Sequence, residues 1–216
     1  MRLFLAVLAG SLALGGVASA QTSMDAGYVE VVAQSALGNV TSQSYGVEGG
    51  FTIRPNIQVF VEVGQTKNVA PSTLGAAAQL IAGGLGQTQS NVGYTAKEPA
   101  TFGDVGVRYV VHMANSAAQP YVLAGVGAAR LKRDVAFTVG GTDVTANLAQ
   151  DQYGNITLGS DLSGSETKAM FVLGGGLAWA AWQRLNLDFQ FRYGRIMAAD
   201  AGINVIRAGI GIGVRF

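Results

Sequence analysis

The residues of this chain that could carry out chemistry are few and widely spaced. The 216-residue sequence contains one histidine, His112, and no cysteine, which excludes cysteine nucleophiles, thiolate metal sites and disulfide frameworks. The segment 125–130 begins like a dinucleotide-binding fingerprint, but Arg130 occupies the sixth position, where that motif requires glycine or alanine. The Gly-x-Ser-x-Gly elbow of many hydrolases is missing from the sequence. We therefore expect no catalytic residue, no cofactor and no dedicated metal site.

The acidic residues of the segment 134–167 are a second candidate for chemistry. This segment contains Asp134, Asp143, Asp151, Asp161 and Glu166. Their spacing lacks the alternating acidic ligands and the final glutamate of a calcium-binding loop. We expect a solvated loop, with weak cation binding as the alternative.

Other ionic residues recur at every second position within apolar segments. In the segment 204–216, large apolar residues alternate with Arg207, Arg215 and glycines. A period of two places the two classes of residue on opposite faces of a β-strand. The same alternation puts nine ionic side chains on the less apolar faces of six segments: Glu30, Glu48, Glu62, Asp104, Arg108, Asp188, Arg192, Arg207 and Arg215.

Eight segments of this kind predict an all-β fold. They lie near 28–34, 45–53, 57–64, 104–111, 120–133, 167–182, 185–193 and 204–216. The segments 120–133 and 167–182 are apolar on both faces, and we favour Phe171, Leu173, Leu177 and Trp179 for the outer face of the latter. A soluble β-sandwich has the same period. A glycine-rich polar face suits the interior of a small closed barrel better, and a continuous apolar face suits contact with lipid.

The connections between the segments support a membrane barrel, in which short turns and long loops alternate. Short connections are expected at 54–56, 114–119 and 182–184, and long ones at 36–43, 67–101 and 134–167, with a brief one near 197–203. Both termini then lie on the side of the short turns. Within 67–101, the helical spacing of Leu74, Ala77, Ala78, Ile81 and Leu85 predicts a short helix near 72–85. We expect that helix to cap the lumen, with binding of a hydrophobic ligand or partner as the alternative.

The first twenty residues have the features of a secretory signal peptide. Arg2 precedes the apolar stretch 3–16, and Ala18 and Ala20 provide the small residues of a cleavage site. We expect residues 1–20 to be removed and 21–216 to form one barrel domain, with an uncleaved membrane anchor as the alternative. Loss of Arg2 leaves 13 basic and 13 acidic residues, and this neutral balance argues against binding to nucleic acid.

The sequence resembles the small bacterial outer-membrane barrels of the eight-stranded group that contains opacity proteins and the transmembrane domain of outer-membrane protein A. The resemblance rests on PYVLAGVG at 120–127, FQFRY at 189–193 and GIGVRF at 211–216. It implies an antiparallel up-and-down transmembrane β-barrel in the outer membrane, monomeric, in contact with outer-membrane lipid and with both termini in the periplasm. It also implies that Phe216 is the assembly signal read by the barrel-assembly machinery. The chain stops at Phe216, so anchoring to the cell wall is not implied.

The nine ionic side chains are expected to face the lumen of this barrel. Buried charges must be paired because an isolated one is costly, so we expect a mutually neutralising network. Asp104 and Arg108 are predicted near Glu48 and Glu62, and Asp188 and Arg192 near Arg207.

These features predict a structural or surface-interaction role, with a lumen plugged by side chains and surface partners reached through loops 67–101 and 134–167. The main alternative is a narrow pore or transporter for ions or small, including hydrophobic, solutes. An enzymatic role would have to use His112, which we place at the periplasmic end, and we expect none.

Overall fold

The computed structural model describes residues 25–113, 116–198 and 202–216. These residues form ten β-strands and one α-helix, with 3₁₀ turns at Thr145–Asn147 and Asp151–Tyr153. In chain order the elements are β1 (Gly27–Leu37), β2 (Ser42–Arg54), β3 (Ile57–Thr66), α1 (Ser72–Leu85), β4 (Val92–Lys97), β5 (Ala100–Val110), β6 (Ala118–Val139), β7 (Thr142–Asp143), β8 (Ser163–Ala180), β9 (Leu185–Ile196) and β10 (Ile203–Arg215). The helix is too short to cross a membrane, and no other described residues form a helix that could.

Eight of these strands form a closed antiparallel ring. Its order is β1-β2-β3-β5-β6-β8-β9-β10, and β10 closes the ring by pairing with β1 from Tyr28↔Arg215 to Leu37↔Ile206. Each strand pairs with the barrel strands before and after it, so the topology is up-and-down. The predicted fold, an eight-stranded antiparallel β-barrel, is confirmed.

The two faces of the barrel strands differ as the alternation predicts. On β3, Phe60 and Glu62 are buried inside, whereas Val61 and Val63 are 53% and 54% exposed on the outer surface. On β6, whose faces the sequence left open, Leu123 is buried inside and Val126 is exposed outside. The barrel is therefore apolar on its outer surface all the way around.

The connections alternate between the two ends of the barrel. Residues 55–56, 111–117 and 181–184 join strands at one end, and the long connections lie at the other end. Gly27 and Phe216 lie together at the short-turn end, where the Gly27 amide donates to the Phe216 carbonyl at 2.9 Å. The predicted signal peptide 1–20, part of the turn 114–119 and part of the connection 197–203 lie outside the described residues.

The long connections fold together into a small second unit, which we call the head (residues 67–99 and 132–162). Strand β6 continues beyond the barrel to Val139, where it pairs with β4 and β7. The predicted helix exists as α1, and its first turns border the mouth of the barrel, while its apolar face packs mainly inside the head. That face packs in a separate hydrophobic core formed by Ala70, Leu74, Ala78, Leu85, Val135, Phe137, Val144, Leu148 and Leu162. The extension of β6 also shortens the loop expected at 134–167.

Candidate functional site

Six ionic side chains form a continuous chain of alternating charge through the middle of the lumen. All six are almost completely buried. In order of contact they are Asp188, Arg108, Glu48, Arg192, Glu62 and Arg207. Three acids and three bases make the chain neutral, which reduces the cost of burying each charge.

Each arginine of this chain is placed by the strands that surround it. Arg192 on β9 reaches across the lumen to Glu48 and to Glu62, where its Nη1 lies 2.8 Å from Oε2. Arg207 on β10 binds Glu62 in a bidentate pair, with distances of 2.8 and 2.9 Å. Arg108 on β5 lies 2.7 Å from Asp188 and 3.6 Å from Glu48. The pairs therefore join opposite walls of the barrel.

The structure agrees with most of the expected neighbours, since Arg108 contacts Glu48 and Asp104 lies beside Glu62 in the strand register, but it places Asp188 differently. Asp188 contacts Arg108 and accepts a hydrogen bond from Tyr121 at 2.9 Å, whereas we expected it near Arg207. Arg192 lies beside Arg207 in the strand register, as expected, and both bind Glu62. The reason for the difference at Asp188 is geometric, because the expectation considered neighbours within a wall and the closed ring brings facing walls together.

Four acidic residues form a row around one wall of the lumen. The strand register places Glu30 beside Glu48, Glu48 beside Glu62, and Glu62 beside Asp104. Among the described residues, Glu30 has a hydrogen bond only from Gln190, and both carboxylate oxygens of Asp104 lack a partner. The two end members of the row are therefore buried without a cation, and the expected complete neutralisation does not extend to them.

Arg215 stands apart from the luminal chain. It lies at the short-turn end of the barrel and pairs with Asp25 at 2.8 Å, and both side chains are partly exposed. A small cavity of about 40 Å³ separates this pair from Tyr28 and Arg108. Arg215 therefore belongs to the entrance of the lumen rather than to its interior.

Aromatic rings cover the luminal arginines, and glycines make room for the rings. The Arg108 guanidinium lies 3.4 Å from the ring centre of Tyr121, and that of Arg207 lies 4.2 Å from Phe102, distances at which a cation is attracted to the ring face. A Cβ atom at Gly64 would lie 2.6 Å from the Phe102 ring. Glycine at this position is therefore a requirement of luminal packing.

Beyond the charged chain, toward the head, the lumen is filled by apolar side chains. This apolar layer consists of Ala36, Val69, Ala100, Phe102, Ala129, Leu131, Met170, Ile196, Ile203 and Val205. The cavity between the layer and Arg207 measures only about 20 Å³, room for roughly one water molecule. Between Arg207 and the head, the described lumen is therefore occupied mainly by apolar side chains.

A further polar cluster lies at the mouth of the barrel, beneath the head. Arg133 on β6 lies 3.3 Å from Glu98 and 2.5 Å from Glu166, which also pairs with Lys168 at 3.0 Å. Burial raises the pKa of the Glu98 carboxyl above its ordinary value, and Arg133 partly opposes that effect. This cluster borders a cavity of about 540 Å³.

No pattern in the sequence predicts a site at Glu98 or Arg133. Glu98 stands in the connection between β4 and β5, where no local pattern marks it. The one available signal was the position of Arg133, which shares an alternating face of β6 with Ala129 and Leu131. Using that signal would have required knowing that β6 continues beyond the barrel.

The other candidate residues make local contacts. His112 is exposed at the short-turn end, and its ring nitrogen lies 3.3 Å from the Asn56 amide. Asp143 and Asp151 accept local hydrogen bonds from Thr145 and Asn155 within their own loop. Among the described residues, no group of three or more histidine, aspartate or glutamate side chains could hold a metal ion.

No protein-family model matches this sequence, and no characterised protein matches it by sequence. Solved structures do match. Neisserial surface protein A is 16% identical over 88% of this chain and 94% of its own, with a TM-score of 0.50. A major outer-membrane protein from Thermus thermophilus is 11% identical over 88% of this chain and 100% of its own, with a TM-score of 0.52.

The outer-membrane enzyme PagL is a weaker match, 10% identical over 88% of this chain and 99% of its own. Its TM-score of 0.42 carries no argument about activity. Identities this low show a shared architecture alone. The chain has the fold of the small outer-membrane β-barrels.

Proposed function

We propose that this chain is a monomeric outer-membrane protein with a closed lumen, a structural role in the envelope and a head that contacts partners outside the cell. The observation that carries the proposal is the inverted distribution of polarity in the barrel. Its outer surface presents large apolar side chains, among them Phe51, Val126 and Phe191 at 64%, 63% and 53% exposure. Such a surface is unfavourable in water and favourable in lipid.

Aromatic residues support the orientation that we propose for the barrel. Phe51, Tyr109, Trp179 and Phe216 are exposed near the short-turn end, where a membrane barrel has one of its aromatic girdles. Short turns are periplasmic in such barrels, so both termini belong in the periplasm and the head belongs outside. This arrangement agrees with export by the signal peptide 1–20 and with assembly through Phe216.

The filled lumen supports a structural role over transport. An ion entering from the head side would meet the apolar layer and then a chain of ion pairs, with the carboxylates of Asp104 and Glu30 buried beside it. Conduction would require these side chains to move together. The ordered head, with its own hydrophobic core, is the part of the described chain best suited to surface partners.

Refolding of residues 21–216 into detergent micelles tests this proposal. A heat-dependent shift in gel mobility together with no steady single-channel current in planar bilayers is the expected result. No gel shift would contradict the closed barrel. A steady current with the shift would make the chain a pore, and the paired substitution Asp104→Asn with Arg108→Gln should then alter that current.

A further inference from the structure

The cavity at the mouth of the barrel has two chemically different walls. Its volume of about 540 Å³ lies within the range of small-molecule binding sites. One wall is apolar and includes Leu74 and Ala77 of α1 and Ile203 of β10. The other wall is polar and includes Glu98, Arg133, Ser160, Asp161 and Glu166. The head and the barrel both contribute to it.

The Glu98 carboxylate is the most unusual group in this cavity. Its side chain is only 1% exposed, and neither of its oxygens has a hydrogen-bond partner among the described residues. The backbone around it is fixed, because the Glu98 amide donates to Asn68 Oδ1 at 3.0 Å and the Glu98 carbonyl accepts from Val69 at 2.9 Å. A buried carboxylate without hydrogen bonds is costly, so a donor supplied by a ligand would be stabilising.

Arg133 forms an ion pair with one oxygen of Glu98 and does not reach the other. Its guanidinium donates to Glu166 and to the Ser160 carbonyl, at 2.5 and 3.0 Å, and it approaches Glu98 only at 3.3 Å through Nε. These contacts hold Arg133 in place beside Glu98. They leave Glu98 Oε2 with no cation contact among the described residues.

The charges around the cavity favour a cation. Among the described residues, Glu98, Asp161 and Glu166 on the cavity wall are acidic, and the basic ones are Arg133 on the wall and Lys168 paired with Glu166, which leaves an excess of one acidic group. The first turn of α1 also borders the cavity, and a helix N-terminus contributes a partial positive charge of roughly one half. The carboxylates therefore outweigh the helix. The described acidic residues do not form a metal-binding group, which favours an organic cation.

We propose that this cavity binds a small organic cation that carries a primary ammonium group on a compact apolar body. The ammonium donates to Glu98, and the apolar body packs on Leu74, Ala77 and Ile203. This inference goes beyond the proposed structural role and does not depend on it, because it concerns the folded head and mouth in any membrane or detergent.

Three probes that share one ring test the required charge. Cyclohexylammonium, cyclohexanol and cyclohexanecarboxylate are titrated against refolded residues 21–216 in a non-ionic detergent, and binding is followed by saturation-transfer NMR. One charge-assisted hydrogen bond distinguishes the probes, so the ammonium should bind about tenfold more tightly than the alcohol. The carboxylate should bind less tightly than either. Equal dissociation constants for the three probes, or no binding of the ammonium, would overturn the proposal.

Two variants and a control test the location of the site. Glu98→Gln should weaken binding of cyclohexylammonium about tenfold because it removes the acceptor charge. Ala77→Leu should also weaken binding because it fills the cavity without changing charge. Asp143→Asn, in the same head but outside the cavity, should leave binding unchanged. The gel shift confirms folding of each variant. Unchanged binding in a folded Glu98→Gln protein would place the ligand elsewhere and refute the site.

Discussion

The barrel and the head are built on opposite distributions of polarity. In the barrel, charged side chains such as Arg192 are buried inside and apolar ones such as Val126 are exposed outside. In the head, Phe137 and Leu148 are buried inside, and polar residues such as Gln152 are on the surface. The surface of the barrel therefore suits contact with lipid, and the surface of the head suits contact with water.

Strand β6 passes through both units and shows where the surroundings change. One face of β6 points to the lumen at Leu123 and Leu131, and the same face continues into the head core at Val135. The opposite face changes from apolar Val126 to basic, exposed Arg130 and Lys132. Only the outer face of β6 changes in this way. The apolar outer surface of the barrel therefore ends near residue 130 on this strand.

The largest effect is expected from breaking the buried charge chain of the barrel. Arg192→Leu would leave Glu48 and Glu62 without their shared cation. Removing one partner of a buried ion pair costs about 3–5 kcal/mol, so the free energy of unfolding in micelles should fall by about that amount. Denaturant titration followed by tryptophan fluorescence measures the change.

The exposed residue Arg130 provides the matched control for that experiment. Arg130→Leu removes the same charge outside the lumen and should change stability by less than about 0.5 kcal/mol. Adding Glu48→Gln to Arg192→Leu should recover part of the loss, because the uncompensated carboxylate is the source of the cost. Equal stability of the two single variants would show that the luminal pairs contribute nothing.

A smaller change in stability is expected when an arginine is placed on the outer surface of the barrel, and almost none when it is placed on the surface of the head. Val126 and Leu80 are both exposed apolar residues, at 63% on the barrel and 79% on α1. Val126→Arg should destabilise the barrel in lipid vesicles by about 2–4 kcal/mol, the cost of a cation on a lipid-facing surface. Leu80→Arg should change stability by less than about 0.5 kcal/mol, because its surroundings are water. Similar values for the two variants, measured by denaturant titration, would refute the assignment of Val126 to lipid.

The smallest effect concerns the pH dependence of the head. Burial raises the folded-state pKa of Glu98, so the folded head binds a proton at this carboxylate more tightly than the unfolded chain does. The stability from this group is present below the unfolded-state pKa of glutamate and is lost as pH rises through the raised value. Amide hydrogen exchange of β4 should therefore be slower at acidic pH, after correction for intrinsic rates.

The charged neighbours of Glu98 make a control necessary for that prediction. Arg133 on β6 lies beside it, Glu166 and Lys168 on β8 lie beyond Arg133, and Asp161 borders the same cavity. Glu98→Gln should flatten the dependence between the ordinary and the raised pKa, because it keeps the shape and removes the titration. An unchanged dependence in that variant would assign the effect to Glu166 or Asp161.

The periodicity of the sequence was sufficient to predict the strands of the barrel. It was insufficient to predict the contacts between side chains in the lumen or the packing of the head. Alternation predicted the eight strands and the outer faces of most of them, because both depend on neighbours two residues apart. The lengths of the connections predicted which end of the barrel has the short turns. The helix near 72–85 was also predicted from its spacing. The contact of Asp188 with Arg108 depends on the curvature and register of a closed ring, and no local spacing encodes it. The head core depends on two distant connections meeting, so the packing of α1 and the cluster around Glu98 were missed.

The alternating charge chain has a consequence for the order of events during folding. Arg192 and Arg207 lie 130 to 145 positions along the chain from the carboxylates of Glu48 and Glu62 that they bind. These pairs form only when β9 and β10 meet the early strands across the lumen. Until then each ion is better solvated by water than by protein. Water must therefore leave the lumen last, and closure of the ring and drying of its interior form a single cooperative step.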